Sequence, residues 1–346
     1  MDIRRIHYID SAKCLGIILV VLGHLCSVEG VCGTTYPVRW LSYFMLPLFF
    51  AASGSLMSAK KETERDLKAF IVKRLKSLIV PYISFSLIYF LIDLLNYFTG
   101  RMDAMTVREH VISSVIFTGY STLWFLPVLF VSEIFTYVLI KRLKKPALYV
   151  AAAFGLAVIA FAVDEFLIKG YLEGINIYAA GFLRIFTKSL TSSFFMAAGA
   201  AAFPVMAALS GKVPVFIAGT VLLLIESVIA FIFKDIADLN NMRLGNPAIY
   251  LLGSLSGTFG SLLILSMLPE IRAFSFFGKN ALIIMATHLN FYILLIAMKL
   301  AGIVYGSSSG FVFIFITMII CFILEIPLCI LFNRYFFRLL GRAHAA

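Results

Sequence analysis

The chain has 346 residues, 62% of them hydrophobic and only 14% charged, against roughly 45–50% apolar and about 25% charged in soluble domains. That composition excludes an ordinary soluble fold and leaves one membrane domain, residues 1–346, solvated mainly by lipid. The net charge of +11 suggests nucleic acid, but membrane topology accounts for the basic residues better, so no nucleic-acid partner is expected.

Apolar runs long enough to cross a hydrocarbon core of about 30 Å lie at about 12–29, 40–58, 77–98, 122–140, 146–164, 190–208, 213–233, 248–268, 281–302 and 310–333. They predict an all-α, polytopic bundle of about ten transmembrane helices. Residues 99–121 read as a loop, and 176–208 as a stretch that opens on an interfacial helix. Arg4 and Arg5 before an apolar run resemble a signal peptide. Without an A-x-A cleavage site, and with many later spans, an uncleaved first helix is expected instead. No linker, low-complexity tract or fixed-period repeat points to a fused soluble domain. Alternating the loops across ten spans puts 20 of the 29 Lys and Arg on one side. Positive residues gather in cytoplasmic loops, so both termini are expected inside.

In chain order, the first chemically notable group is His24, eleven residues after Lys13 in the first span. At about 1.5 Å per residue the imidazole lies about 16 Å deeper than the ammonium, near mid-membrane. An intramembrane ionisable group is a functional candidate, although a histidine bonded between helices as packing glue is also common. Cys26 and Cys32 are spaced for a small disulfide at an oxidising surface, yet cysteines in apolar runs are more often small buried residues.

Lys73, Arg74 and Lys76 lead into the third span. Such cations suit phosphates, while positive-inside topology and anionic lipid explain most of them equally well. Asp93, Glu133, Glu226 and Glu325 lie at membrane depth, and sequence does not pair them; Glu226 and Glu325 read first as structural hydrogen-bonding groups. Arg39, Arg184, Lys188 and Arg243 on the outer side either bind phosphate or carboxylate on an acceptor or are solvated loop charge. His288, in the ninth span, lies about 10 Å into the core. A neutral imidazole suits a general base acting on a hydroxyl. His7, His110 and His344 sit in polar segments and carry no weight. No Cys/His/carboxylate spacing suits a metal, and no G-x-S-x-G elbow is present.

Five segments in order resemble the integral-membrane acyltransferase 3 family over nearly the whole chain. They are Asp10 and Lys13 with His24, Pro47 to Gly54, Lys73 to Tyr82, Leu123 to Leu126 with Glu133, and Gly278 to His288. Three positions depart from the family's usual pattern: Met45 replaces a histidine, Ser77 an arginine and Ala281 a serine. The resemblance implies an O-acyltransferase, most often an O-acetyltransferase, in a bacterial cytoplasmic membrane. Its donor would be cytoplasmic acetyl-CoA or another acyl-CoA, and its acceptor a hydroxyl of an extracytoplasmic carbohydrate or lipid-linked glycan, with no metal. The catalytic residues implied are His24, Glu133 and His288, and those holding the donor are Lys13, Arg74, Lys76 and Trp124. The rival readings are a proton-coupled secondary transporter of a small polar solute and a non-catalytic scaffold. A homo-oligomer stays open.

Overall fold

The computed structural model describes residues 7–28, 31–32, 35–209 and 212–342. Arg4, Arg5 and His344 lie outside them. Among the described residues there are thirteen helices and no sheet. They are α1 (His7–Cys26), α2 (Tyr36–Ala59), α3 (Leu67–Phe98), α4 (Ala104–Val115), α5 (Ser121–Leu143), α6 (Pro146–Leu172) and α7 (Ile177–Leu209). Then follow α8 (Val213–Ile232), α9 (Pro247–Met267), α10 (Arg272–Lys279), α11 (Ala281–Thr287), α12 (Ile293–Tyr305) and α13 (Phe311–Arg334). Nine of these are long and apolar enough to cross a membrane. The pair α11–α12 covers the remaining predicted crossing, the ninth in chain order, so the chain is the expected polytopic helical bundle.

Helices α1, α2, α5, α7 and α9 are buried over more than half their apolar windows, whereas α6, α8 and α13 turn most of theirs outward. Exposed Phe166, Phe231 and Phe311 belong to that outer shell, where lipid is the solvent. Helix pairing in lipid relies on small residues and polar contacts, because apolar surface alone gains nothing there. The α2–α7 crossing shows this. A Cβ on Gly54 would collide with the Met196 carbonyl, and Ser55 Oγ donates to the Gly199 carbonyl at 3.1 Å.

Four elements differ from the sequence expectation. The 176–208 stretch is one helix of 33 residues, since Arg184 and Lys188 depress its hydropathy but find polar partners inside the bundle. Residues 99–121 hold α4, capped by Asp103 accepting from the Thr106 amide at 2.8 Å. Helix α3 starts ten residues before the predicted span. Asp66 caps it, and a π turn at Leu75–Ile79 absorbs the approach to Pro81, which has no N–H for the preceding turn. The 281–302 crossing is broken at His288–Tyr292, where Tyr292 has φ +58°. Carbonyls freed by the break are held by side chains: Ala286 by Tyr89 Oη, and Met285 by Thr122 Oγ1 at 2.7 Å. Irregular backbone at membrane depth is tolerated only with such replacements.

Candidate active site

Lys13, Ile17, Val20 and His24 follow one helical stripe of α1, continued by Ser27 just past its end, and line a cavity of about 630 Å³. Lys13, Ser53, Gly278, Lys279 and Arg342 surround its basic end. Ser42, Ser121 and the segment Ile236–Asn240 surround the other. From Lys13 to Ser27 the stripe extends about 21 Å along the helix, with His24 nearer the second end. Met45, at the departure from the family's histidine, lines the wall near Gly23.

The two buried histidines meet. His288 Nε2 lies 3.3 Å from His24 Nδ1, and His288 Nδ1 lies 2.7 Å from the Ile284 carbonyl oxygen. A carbonyl only accepts, so His288 Nδ1 carries a proton. In the neutral pair His288 Nε2 is then a lone pair, and His24 Nδ1 must donate to it. His24 Nε2 is left as an acceptor on a ring that lines the cavity. His288 is wholly buried, so it acts on the cavity only through His24. Behind it, Thr287 Oγ1 contacts both the Ile283 carbonyl (2.8 Å) and Glu325 Oε2 (2.7 Å).

At the basic end the predicted cations separate. Arg74 Nε pairs with Glu133 Oε2 at 2.8 Å, both largely buried, and Lys76 is exposed, away from the cavity wall. Lys13 lines the wall, and among the described residues it has no carboxylate within 4 Å. The sequence left Lys279 and Arg342 as topology charges, yet both line the mouth. Lys279 had one available signal, its place in the Gly278-Lys-Asn280 run.

Trp124 lines the cavity with Ser121 and Thr122, at the end remote from Lys13. Lys188 Nζ stands 4.7 Å from the Trp124 ring centroid and donates to Asn240 Oδ1 at 3.1 Å. Of the outer cations weighed from sequence, Arg184 is bound to Asp164 and Glu173, each at 3.0 Å. Lys188 is buried with no such ion pair among the described residues. Asp93 pairs with His110 at 2.9 Å, a histidine given no weight from sequence, and the Glu226 carboxylate is buried without a hydrogen bond among the described residues. Cys26 and Cys32 form a disulfide at the end of α1, two residues past His24.

A polytopic bundle enclosing a chamber, with an acceptor imidazole between a basic end and an end that carries Asp238, defines a membrane protein with an internal site approached along its helices. The acyltransferase 3 family model, described as an acyltransferase domain, matches residues 6–326. The chain belongs to that family and is a multi-pass membrane acyltransferase. No curated protein and no solved structure matches it.

Proposed function

We propose that the protein moves an acyl group, acetyl in the simplest case, from cytoplasmic acyl-CoA to a carbohydrate hydroxyl presented from the opposite side of a bacterial cytoplasmic membrane. The observation that carries this reading is the Nε2 of His24, without a hydrogen-bond partner among the described residues, on a cavity that also reaches Lys13 and Asn240. The donor's phosphates stay at the basic end, and the extended pantetheine arm follows the α1 stripe towards His24. Nε2 of His24 takes the proton of the acceptor hydroxyl as its oxygen attacks the thioester carbonyl. The C–S bond breaks, and the departing thiolate takes that proton back, leaving an ester and free CoA thiol. General-base assistance of this kind is typically worth about 10²–10⁴-fold.

His288 holds the His24 tautomer that makes Nε2 the base. Glu133 is paired with Arg74, and neither is among the residues that line the cavity. Trp124 and Asn240 form the acceptor-side wall. A covalent variant, in which His24 carries the acyl group between donor and acceptor, uses the same atoms; rapid quench without acceptor distinguishes it by trapping acyl-histidine.

The test is purified protein in nanodiscs with labelled acetyl-CoA. Donor turnover that falls at least a hundredfold in His24→Ala, with normal expression and insertion, supports the reading; near wild-type turnover overturns it. The transporter reading draws on the α11–α12 break, since carriers use discontinuous helices. Solute counterflow in liposomes without any donor would favour it.

A further inference from the structure

The cations at the basic end divide by partner. Arg74 is bound to Glu133, and Lys73 to Glu62. Lys13, Lys279 and Arg342 line the cavity mouth, and among the described residues none of the three has a carboxylate within 4 Å. Three positive charges from three separate segments therefore converge on one opening with no acid in contact among the described residues.

Backbone contacts aim two of them. Lys279 follows Gly278, which packs so close to α1 that a Cβ there would collide with the Asp10 carbonyl. Arg342 follows Gly341, where φ is +65° and a Cβ would collide with the Lys76 carbonyl. Each glycine permits a contact closed to other residues and delivers the next side chain to the mouth. A polar chain joins the two arms. Arg342 Nη1 donates to Asn333 Oδ1. Asn333 Nδ2 in turn donates to Asn280 Oδ1 and to the Cys329 carbonyl, each at 2.6 Å. Asn280 sits next to Lys279 and donates to the Phe276 carbonyl at 2.9 Å. Arg342 lies past residues 6–326, the part matched by the family.

We infer that Lys13, Lys279 and Arg342 form a phosphate clamp for the nucleotide end of the thioester donor, its third arm supplied by the segment after α13. A carboxylate would offset one of the three charges; a nucleotide bearing a diphosphate and a phosphate monoester offsets all of them. Arginine adds bidentate hydrogen bonds to a phosphate where lysine acts as a point charge. The inference rests on the acyl-CoA reading above. The same phosphoester chemistry is offered by anionic lipid headgroups, and the experiment separates the two sources.

The full chain is placed in nanodiscs of phosphatidylcholine alone or with phosphatidylglycerol, and displacement of labelled acetyl-CoA by CoA or by phosphate-free pantetheine is measured. Arg342→Gln and Lys279→Gln are each expected to weaken CoA binding about tenfold, the scale of one charge-assisted hydrogen bond. Pantetheine displacement should stay unchanged. Arg342→Lys should recover part of the loss, and Gly341→Ala should reproduce the loss while keeping the charge. Wild-type affinity for CoA in both Gln variants overturns the clamp and leaves the acyltransfer reading standing. Phosphatidylglycerol competing with CoA in the wild type but not in the variants assigns the clamp to lipid and overturns it. Failure of the wild type to bind CoA at all overturns both.

Discussion

His288→Ala is the substitution that best separates a catalytic pair from two packed histidines. It removes the acceptor of His24 Nδ1–H, a contact of 3.3 Å, without touching the cavity wall, because His288 is wholly buried. Leaving a buried donor unsatisfied costs about 1–3 kcal/mol. His24 retains some access to water through the cavity, so about 1–2 kcal/mol is the relevant part, or about five- to thirtyfold in rate. His24→Ala should cost about 10²–10⁴-fold. On the His24→Ala background His288→Ala should cost almost nothing more, since the bond it supported is already gone. His288→Gln, whose amide oxygen can take the place of Nε2, should recover part of the rate. The assay is the initial rate of acetyl-CoA hydrolysis in nanodiscs, with water as acceptor. Equal losses from His288→Ala in both backgrounds would refute the tautomer argument.

Arg74→Ala should act mainly on stability, because it strands the buried Glu133 carboxylate, and breaking such a pair costs about 3–5 kcal/mol; thermal unfolding should recover in Arg74→Ala/Glu133→Gln, and a stable single variant would show the pair to be dispensable. Lys188→Met, in a Trp40→Phe background that leaves Trp124 as the remaining tryptophan, should shift Trp124 emission, since the ammonium stands 4.7 Å from its ring, yet leave CoA binding unchanged. After reduction, a membrane-impermeant maleimide should label Cys26 and Cys32 from the side opposite to that reaching a Lys279→Cys variant; labelling from the same side would overturn the placement of the two cavity ends on opposite faces. Burial by itself raises the Glu62 carboxyl, but the hydrogen bond and charge of Lys73, with Arg74 and Arg65, prevail and hold it below the ordinary value of 4.5. A depressed folded pKa stabilises above 4.5 and the gain disappears as pH falls through the folded value. Glu62→Gln should therefore cost about 1 kcal/mol at neutral pH, discounted because Lys73 and Arg65 are half exposed, and the difference should close under acid.

What the sequence made legible follows from how each signal arises. Spans were readable because hydrocarbon thickness imposes a run length, and His24 because helix rise turns its distance from Lys13 into depth. The His24–His288 contact was not readable, since no periodicity relates residues 264 apart; only the fold brings α1 against the start of the broken crossing. The break itself hides in an apolar run, because its carbonyls are held by Tyr89 and Thr122 from distant helices. Charge gave the opposite difficulty. Arg74 carried the stronger motif but is held by Glu133, while Arg342 looked like one more topology charge until Gly341 placed it at the mouth. Partners, rather than residue types, decide which cations remain available.

Given the proposed donor, acceptor and base, the depth of His24 bears on why such chemistry should take place inside a membrane at all. A nucleotide thioester carries several charges, and each charge in hydrocarbon costs several kcal/mol, so the donor cannot travel to an acceptor held on the other side. The reacting carbonyl, by contrast, is the neutral end of a flexible arm. A basic mouth that retains the phosphates and an apolar stripe about 16 Å long from Lys13 to His24 let only that end advance. The base must then stand where the arm ends and where a hydroxyl from the far side can still arrive. His24 lies between Lys13 and the Ser27 end of one continuous cavity, and the pairing with His288 leaves its Nε2 as the ring nitrogen without a partner among the described residues. On the proposed reading, the position of this one side chain along α1 is what couples the two compartments.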